Sequence, residues 1–177
     1  TEAYLAGGTS DIVALMVLEH QVTVHNALVA GLINTRKTWY RHRKMKEAFG
    51  ESADSPLSDT NRQILDNLAD KIVRALFFHG EHTVADGVEG ASPFQEAFSA
   101  GARKNREGRA LRDLRLYERL FKYRCSHLVY CDAFAFLPEA LLQRVIEKMK
   151  NILAGTDESG DFTYLTDSER VRIDEIL

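Results

Sequence analysis

Glu19, His20, Gln21, His25 and Asn26 interrupt an otherwise apolar stretch, DIVALMVLEHQVTVHNALVAGLI, that runs from Asp11 to Ile33. Carboxylate and imidazole side chains this close together suit two kinds of chemistry: holding a transition metal such as iron, zinc or manganese, and moving a proton. On a helix, Glu19, Thr23 and Asn26 share a face within about 40°, because residues three and four apart lie one above another. His20 lies about 100° round from Glu19, and His25 falls on the opposite side with Leu18 and Gln21. The two histidines therefore cannot grip one ion from a regular helix, and further ligands must come from elsewhere in the chain. The richest supplier is His79-Gly80-Glu81-His82. The candidate metal set is Glu19, His20, Glu81 and His82, although the Glu-x-x-His pairs of ferritin-like bundles are missing.

A structural reading competes with this one. Glu19 can pair with a buried arginine, Arg112 or Arg119. His20 and His25 can each bond a carbonyl, and Asn26 can bridge two helices. No nucleophile stands beside a His-Glu pair at a readable spacing. Ser126-His127 is adjacent in sequence, which is not how a serine and its base meet on a helix.

The elements that must position these groups read as helices. Ile12 to Leu18 cover the whole helical circle, so the segment from about 11 to 34 is expected as a central buried helix, capped by Thr9, Ser10 or Asp11. Ser58 or Asp59 caps a second long helix carrying Ile64, Leu65, Leu68, Ile72, Ala75 and Leu76 at helical spacing. Ser92-Pro93 with Gln95 opens a short helix. Leu111, Leu114, Tyr117, Leu120 and Phe121 have helical spacing, and another apolar helix is expected from Ser126 to Phe136. Pro138 starts a helix that ends before Gly155, and Thr166-x-x-Glu169 is a capping box. Alternation of period two is nowhere sustained. The expectation is an all-α protein, a single helical domain over residues 1–177.

Composition narrows the classes. The chain has 177 residues, a formal net charge of −3 and well-mixed acids and bases, so gross charge names no partner. The apolar run Ile12–Leu18 is too short to span a bilayer before Glu19 and His20 interrupt it, so no membrane span is expected. Cys125 and Cys131 form neither Cys-x-x-Cys nor Cys-x-x-Cys-His, leaving no covalent haem motif in the chain. Arg36 to Lys46 and Arg103 to Arg124 are basic runs with aromatics among them. No nucleic-acid-binding signature accompanies them, and an anionic partner domain is a better use for that charge.

The words SDIVALMVLEHQ with His25-Asn26, Glu81 through Ser92, GRALRDLRLYERLFKYRCSHLVY followed by FAFLPEAL, and ERVRIDEIL carry a resemblance. The chain resembles the C-terminal helical region of uncharacterised exported bacterial proteins that bear a c-type haem motif upstream. The resemblance implies a periplasmic or otherwise exported chain, the C-terminal part of a longer protein, associated with haem-based electron transfer. It implies as partners an upstream haem-bearing region or a redox partner protein. His79-Gly80 and His82 depart from the expected Val-Asp and Ala, and Arg124 stands where proline is expected.

Two functions follow as expectations. One is a helical module of a haem-associated redox protein, in which His20 or His25 ligates haem or a transition metal and Glu19, Glu81 and Arg119 complete the site. The other is a non-catalytic interaction module whose polar helix only specifies packing. They separate on where the two imidazoles point.

Overall fold

The computed structural model describes residues 11–52, 55–90 and 93–177. The protein is all-α, built on helices α1 (Ile12–Ala48), α2 (Asp59–Leu76), α3 (Phe94–Ala100), α4 (Asp132–Ala135), α5 (Glu139–Ala154) and α6 (Asp167–Asp174). Two short strands, β1 (Leu114–Tyr117) and β2 (Arg119–Phe121), form one hairpin between α3 and α4.

α1 begins where the Asp11 carboxylate accepts the Val13 and Ala14 amides at 2.9 and 3.2 Å, satisfying two of the free donors of the first turn. The alternative caps Thr9 and Ser10 lie outside the described residues. The helix continues well past Asn34, to Ala48, because its packed seam does not stop there. Val13, Val17, Val24, Leu28, Gly31, Thr35, Thr38 and His42 are all buried, at steps of three, four and seven. The other side of α1 faces outward, with Ile12, Leu15, Leu18, Val22 and Ile33 exposed. The helix that is apolar all round is thus packed on one face only.

Gly31 marks the tightest approach of α1 to its neighbours. A Cβ there would stand 2.8 Å from Ile72 Cδ1 and 3.1 Å from Leu141 Cδ2, so the absence of a side chain lets α1, α2 and α5 close together. α2 is capped by Ser58, whose hydroxyl accepts the Asn61 amide at 3.3 Å, and turns Leu65, Ala69, Ile72, Val73 and Leu76 inward. α5 presents Leu141, Val145, Met149 and Ile152, and ends at Gly155 in the left-handed conformation at φ 73°. With α6 these helices enclose the main core, joined by Phe77, Leu111, Tyr123 and Cys125. A smaller core under the N-terminal half of α1 gathers Val13, Val17, Leu120 and Phe121 against Phe78, Phe94 and Phe98.

Two local expectations change. The run from Leu111 to Phe121 is not a helix but the antiparallel hairpin, with Leu114 opposite Phe121 and Tyr117 opposite Arg119. Further backbone partners lie outside the run: Val88 donates to the Leu116 carbonyl at 2.8 Å and Glu118 bridges to Val84. The apolar stretch Ser126–Phe136 is a 3₁₀ turn (His127–Tyr130) followed by the single turn α4. α3 starts at Pro93 without a side-chain cap; Ser92, its expected cap, lies outside the described residues.

The capping box of α6 is half realised. Thr166 accepts the Glu169 amide at 3.3 Å, but the Glu169 carboxylate turns away from the helix start to Arg124. It accepts the Arg124 backbone N–H and Nε, both at 3.1 Å, and Nη2 at 2.5 Å, while Arg119 lies 3.7 Å off. Arg124 also donates to the Tyr164 carbonyl at 2.6 Å and stacks over that ring. A proline at this position would lose both the side-chain bonds and the N–H, so this departure from the expected residue is structural.

Candidate functional site

The two cores meet at a cage of rings around two imidazoles. α1 supplies His20, the end of α2 supplies Phe78, β2 supplies Phe121, α3 supplies Phe98, and the 3₁₀ turn supplies His127. His20 stacks on Phe78 with ring centroids 4.1 Å apart and planes 10° from parallel. Phe78 reaches that position at φ 58°, a left-handed conformation unusual for a large side chain. His127 meets Phe98 edge-on at 5.3 Å and Phe121 at 5.9 Å.

Hydrogen bonds tie the cage to the backbone. His20 Nε2 lies 2.8 Å from Ser126 Oγ, and the same oxygen accepts the Leu128 amide at 3.2 Å, capping the 3₁₀ turn. His127 Nε2 lies 3.3 Å from the side-chain nitrogen of Gln21. Burial, and then the neighbouring His127, lowers the His20 pKa to about 3. Burial, and then the Arg112 charge, lowers that of His127 to about 4. Both rings are therefore neutral at physiological pH. Ser126 is 1% exposed, so its contact with His20 resembles a nucleophile and base only on paper; no substrate reaches the hydroxyl.

All four residues of the sequence-derived metal set line one cleft of about 370 Å³ between α1 and the loop after α2: Glu19, His20, Glu81 and His82. They share its walls without converging on a point. Among the described residues no three His, Cys, Asp or Glu side chains are grouped so as to hold an ion. Within the cleft His20 is bonded to Ser126, and Glu81 accepts the Leu120 amide at 3.3 Å. Burial raises the Glu81 pKa, against the opposing pull of that amide and of Arg119 and Arg124. Glu19 makes no ion pair with Arg112 or Arg119 and is exposed. His25 and Asn26 are exposed too, so neither bonds across the core as the packing alternative supposed. Cys125 is buried, its thiol pushed up to about 12 by burial, and both cysteines are free.

The chain matches no protein-family model, no curated protein and no solved structure.

Sequence reasoning missed three positions. Ser126 and His127 matter through α1 and not through each other. His42, taken with the basic run, is the buried histidine of the C-terminal half of α1: its Nε2 meets the Ser55 carbonyl at 3.1 Å and its Nδ1 the Asn61 amide nitrogen at 3.3 Å. Continuing the inward seam by steps of three and four beyond Asn34 would have found it.

Proposed function

We propose that this chain is a non-catalytic helical interaction module that pairs with a second copy of itself along the outward face of α1. One observation carries the reading. Directly opposite the packed seam, Leu15, Leu18, Val22 and Ile33 are exposed, with the half-exposed Val29 between them. This stripe from Ile12 to Ile33 is about 33 Å long at 1.5 Å per residue and spaced as one helix presents itself to another.

Charge favours an antiparallel pair. Beyond Ile33 the same face becomes net basic, with Arg36, Lys37, Arg43 and Lys44 all exposed and one acid, Glu47, paired with the last two. A parallel pair would set these cations against each other, whereas an antiparallel pair sends them to opposite ends, with the stripe midpoint near Val22. α1 is long and apolar enough by length and composition alone to cross a membrane, a test that core helices also pass. Spanning would strip its inward seam from α2 and place Glu19, His20, Gln21 and His25 in hydrocarbon, at high cost.

Sedimentation velocity over a concentration series tests the pairing. The expected species is twice the 20.0 kDa chain, returning to one copy in Leu18→Glu/Val22→Glu with unchanged helical circular dichroism. A chain that stays monomeric at every concentration, or gathers only on vesicles, overturns it.

A haem-associated redox module, exported and fed by an upstream haem-bearing region or a redox partner, is the second reading. It rests on the sequence resemblance, with His25, an exposed imidazole among apolar neighbours on its stripe, as the side chain placed to reach a haem iron. An absorption spectrum of protein carrying its upstream region, with His25→Ala as the comparison, tests it. A Soret band altered by that substitution supports it, and an unchanged band removes His25.

A further inference from the structure

On the far side of His127 from His20 lies a cleft of about 220 Å³, lined by Gln21, Arg103, Arg112, His127, Tyr130 and Cys131 with the backbone of Gly101 nearby. No carboxylate among the described residues lines it. Elsewhere the protein sets structured arginines against acids, Arg109 with Glu175 at 2.6 Å, Arg124 with Glu169 at 2.5 Å and Arg144 with Asp66 at 2.9 Å, or, for Arg170, against three backbone carbonyls. Arg112 and Arg103 are instead held by aromatic faces, Arg112 over Phe98 at 5.2 Å and Arg103 over Tyr130 at 4.7 Å. Arg112 spends one N–H on the Gly101 carbonyl at 3.4 Å, which leaves most of its fork free.

His127 makes this a built site. It is 6% exposed, its Nε2 faces the Gln21 amide at 3.3 Å, and its Nδ1 is sealed from solvent with no hydrogen-bond partner. Two guanidinium forks without acids among the described residues present donors and positive charge on the cleft wall, while the Gln21 amide is engaged by His127 and the His127 Nδ1 is sealed away.

We propose that this cleft binds a small oxyanion, a carboxylate or phosphate group, between Arg103 and Arg112. Its volume suits an inorganic ion or a small organic acid and is below the usual range for drug-sized ligands. The site is independent of the α1 docking face, which lies on another side of the helix.

The test is calorimetric titration of the intact chain with inorganic phosphate and, separately, with succinate, at ionic strength matched by chloride. Wild type is compared with Arg103→Gln, Arg112→Gln and the remote control Lys71→Gln. Saturable one-to-one binding of either anion is expected, weakened at least tenfold in both arginine variants and unchanged in the control. Phosphate alone, succinate alone, or both competing identify the ligand chemistry. Because Arg112 packs on Phe98, Arg103→Gln, altering an exposed residue, keeps the result decisive if the other variant unfolds. No saturable binding of either anion, or binding that survives Arg103→Gln, means an adventitious ion only and overturns the proposal.

Discussion

The inward seam of α1 reads Val13, Val17, Val24, Leu28, Gly31, Thr35, Thr38 and His42, and the outward stripe reads Leu15, Leu18, Val22, His25, Val29 and Ile33. Both are apolar in their first half, and hydropathy alone cannot tell them apart. They differ in what happens to their polar members. On the inward side the polar members are buried: Thr38 donates to the Asn34 carbonyl at 2.9 Å, His42 is held at both ring nitrogens, and the Thr35 hydroxyl has no hydrogen-bond partner among the described residues. On the outward side His25 and Asn26 stand in the open among apolar residues. A face that buries its polar groups belongs to the core, whereas an apolar stripe left open to solvent awaits a partner.

Substitutions on the two faces should therefore separate widely. The largest effect is expected for Leu28→Ala, about 2–5 kcal/mol of destabilisation from lost burial and the cavity left behind. Urea unfolding of the dilute chain measures it. Leu18→Ala under the same conditions should cost no more than about 0.5 kcal/mol. Equal losses at the two positions would erase the distinction.

Glu169→Gln should cost about 1.5–3 kcal/mol, since it leaves Arg124 with weaker hydrogen bonds and no opposing charge. Burial works to raise the Glu169 pKa, but the Arg124 hydrogen bonds and charge outweigh it and the net shift is downward. Gly31→Val should cost about 1–3 kcal/mol by forcing Ile72 and Leu141 aside, whereas Ala30→Val, one residue earlier and exposed, should approach neutrality. Denaturant midpoints check both.

The ring cage gives a pH signature. His20 and His127 titrate near 3 and 4 in the folded protein, against an ordinary value of 6.5. Between those values the unfolded chain takes up protons that the fold refuses. Stability is therefore full above about pH 6.5 and falls as pH drops towards 4, by about 1.4 kcal/mol per unit for each histidine. Unfolding free energies at half-unit intervals from pH 7.5 to 4.5 measure the slope, and His20→Phe should roughly halve it. An unchanged slope in that variant would place His20 outside the linkage.

Much of the fold was legible because α2, α5 and α6 announce themselves locally: Ser58 and Thr166 as caps, Gly155 as a stop, and apolar residues at helical spacing between. The hairpin was not legible, because Leu111, Leu114, Tyr117 and Leu120 satisfy a helical period while the bonds that decide the matter come from Val84 and Val88, about thirty residues earlier. The full circle of apolar residues in α1 suggested burial, yet composition cannot show which half of a two-faced helix the rest of the chain covers. At the site, Glu19, His20, Glu81 and His82 did come to one cleft, as their types suggested. That His20 would bond Ser126, 106 positions away, depends on how the two cores close on each other.

The pairing of α1 is tested most directly by distances between two copies. A spin label placed at Val22, and in a second protein at Tyr40, in a Cys131→Ala background, reports the geometry by pulsed dipolar spectroscopy. An antiparallel pair centred near Val22 predicts a short distance at Val22 and an axial separation of about 54 Å at Tyr40, from eighteen residues of rise in each direction. Short distances at both positions would mean a parallel pair, and no dipolar coupling at Val22 would mean that the outward stripe does not join two copies.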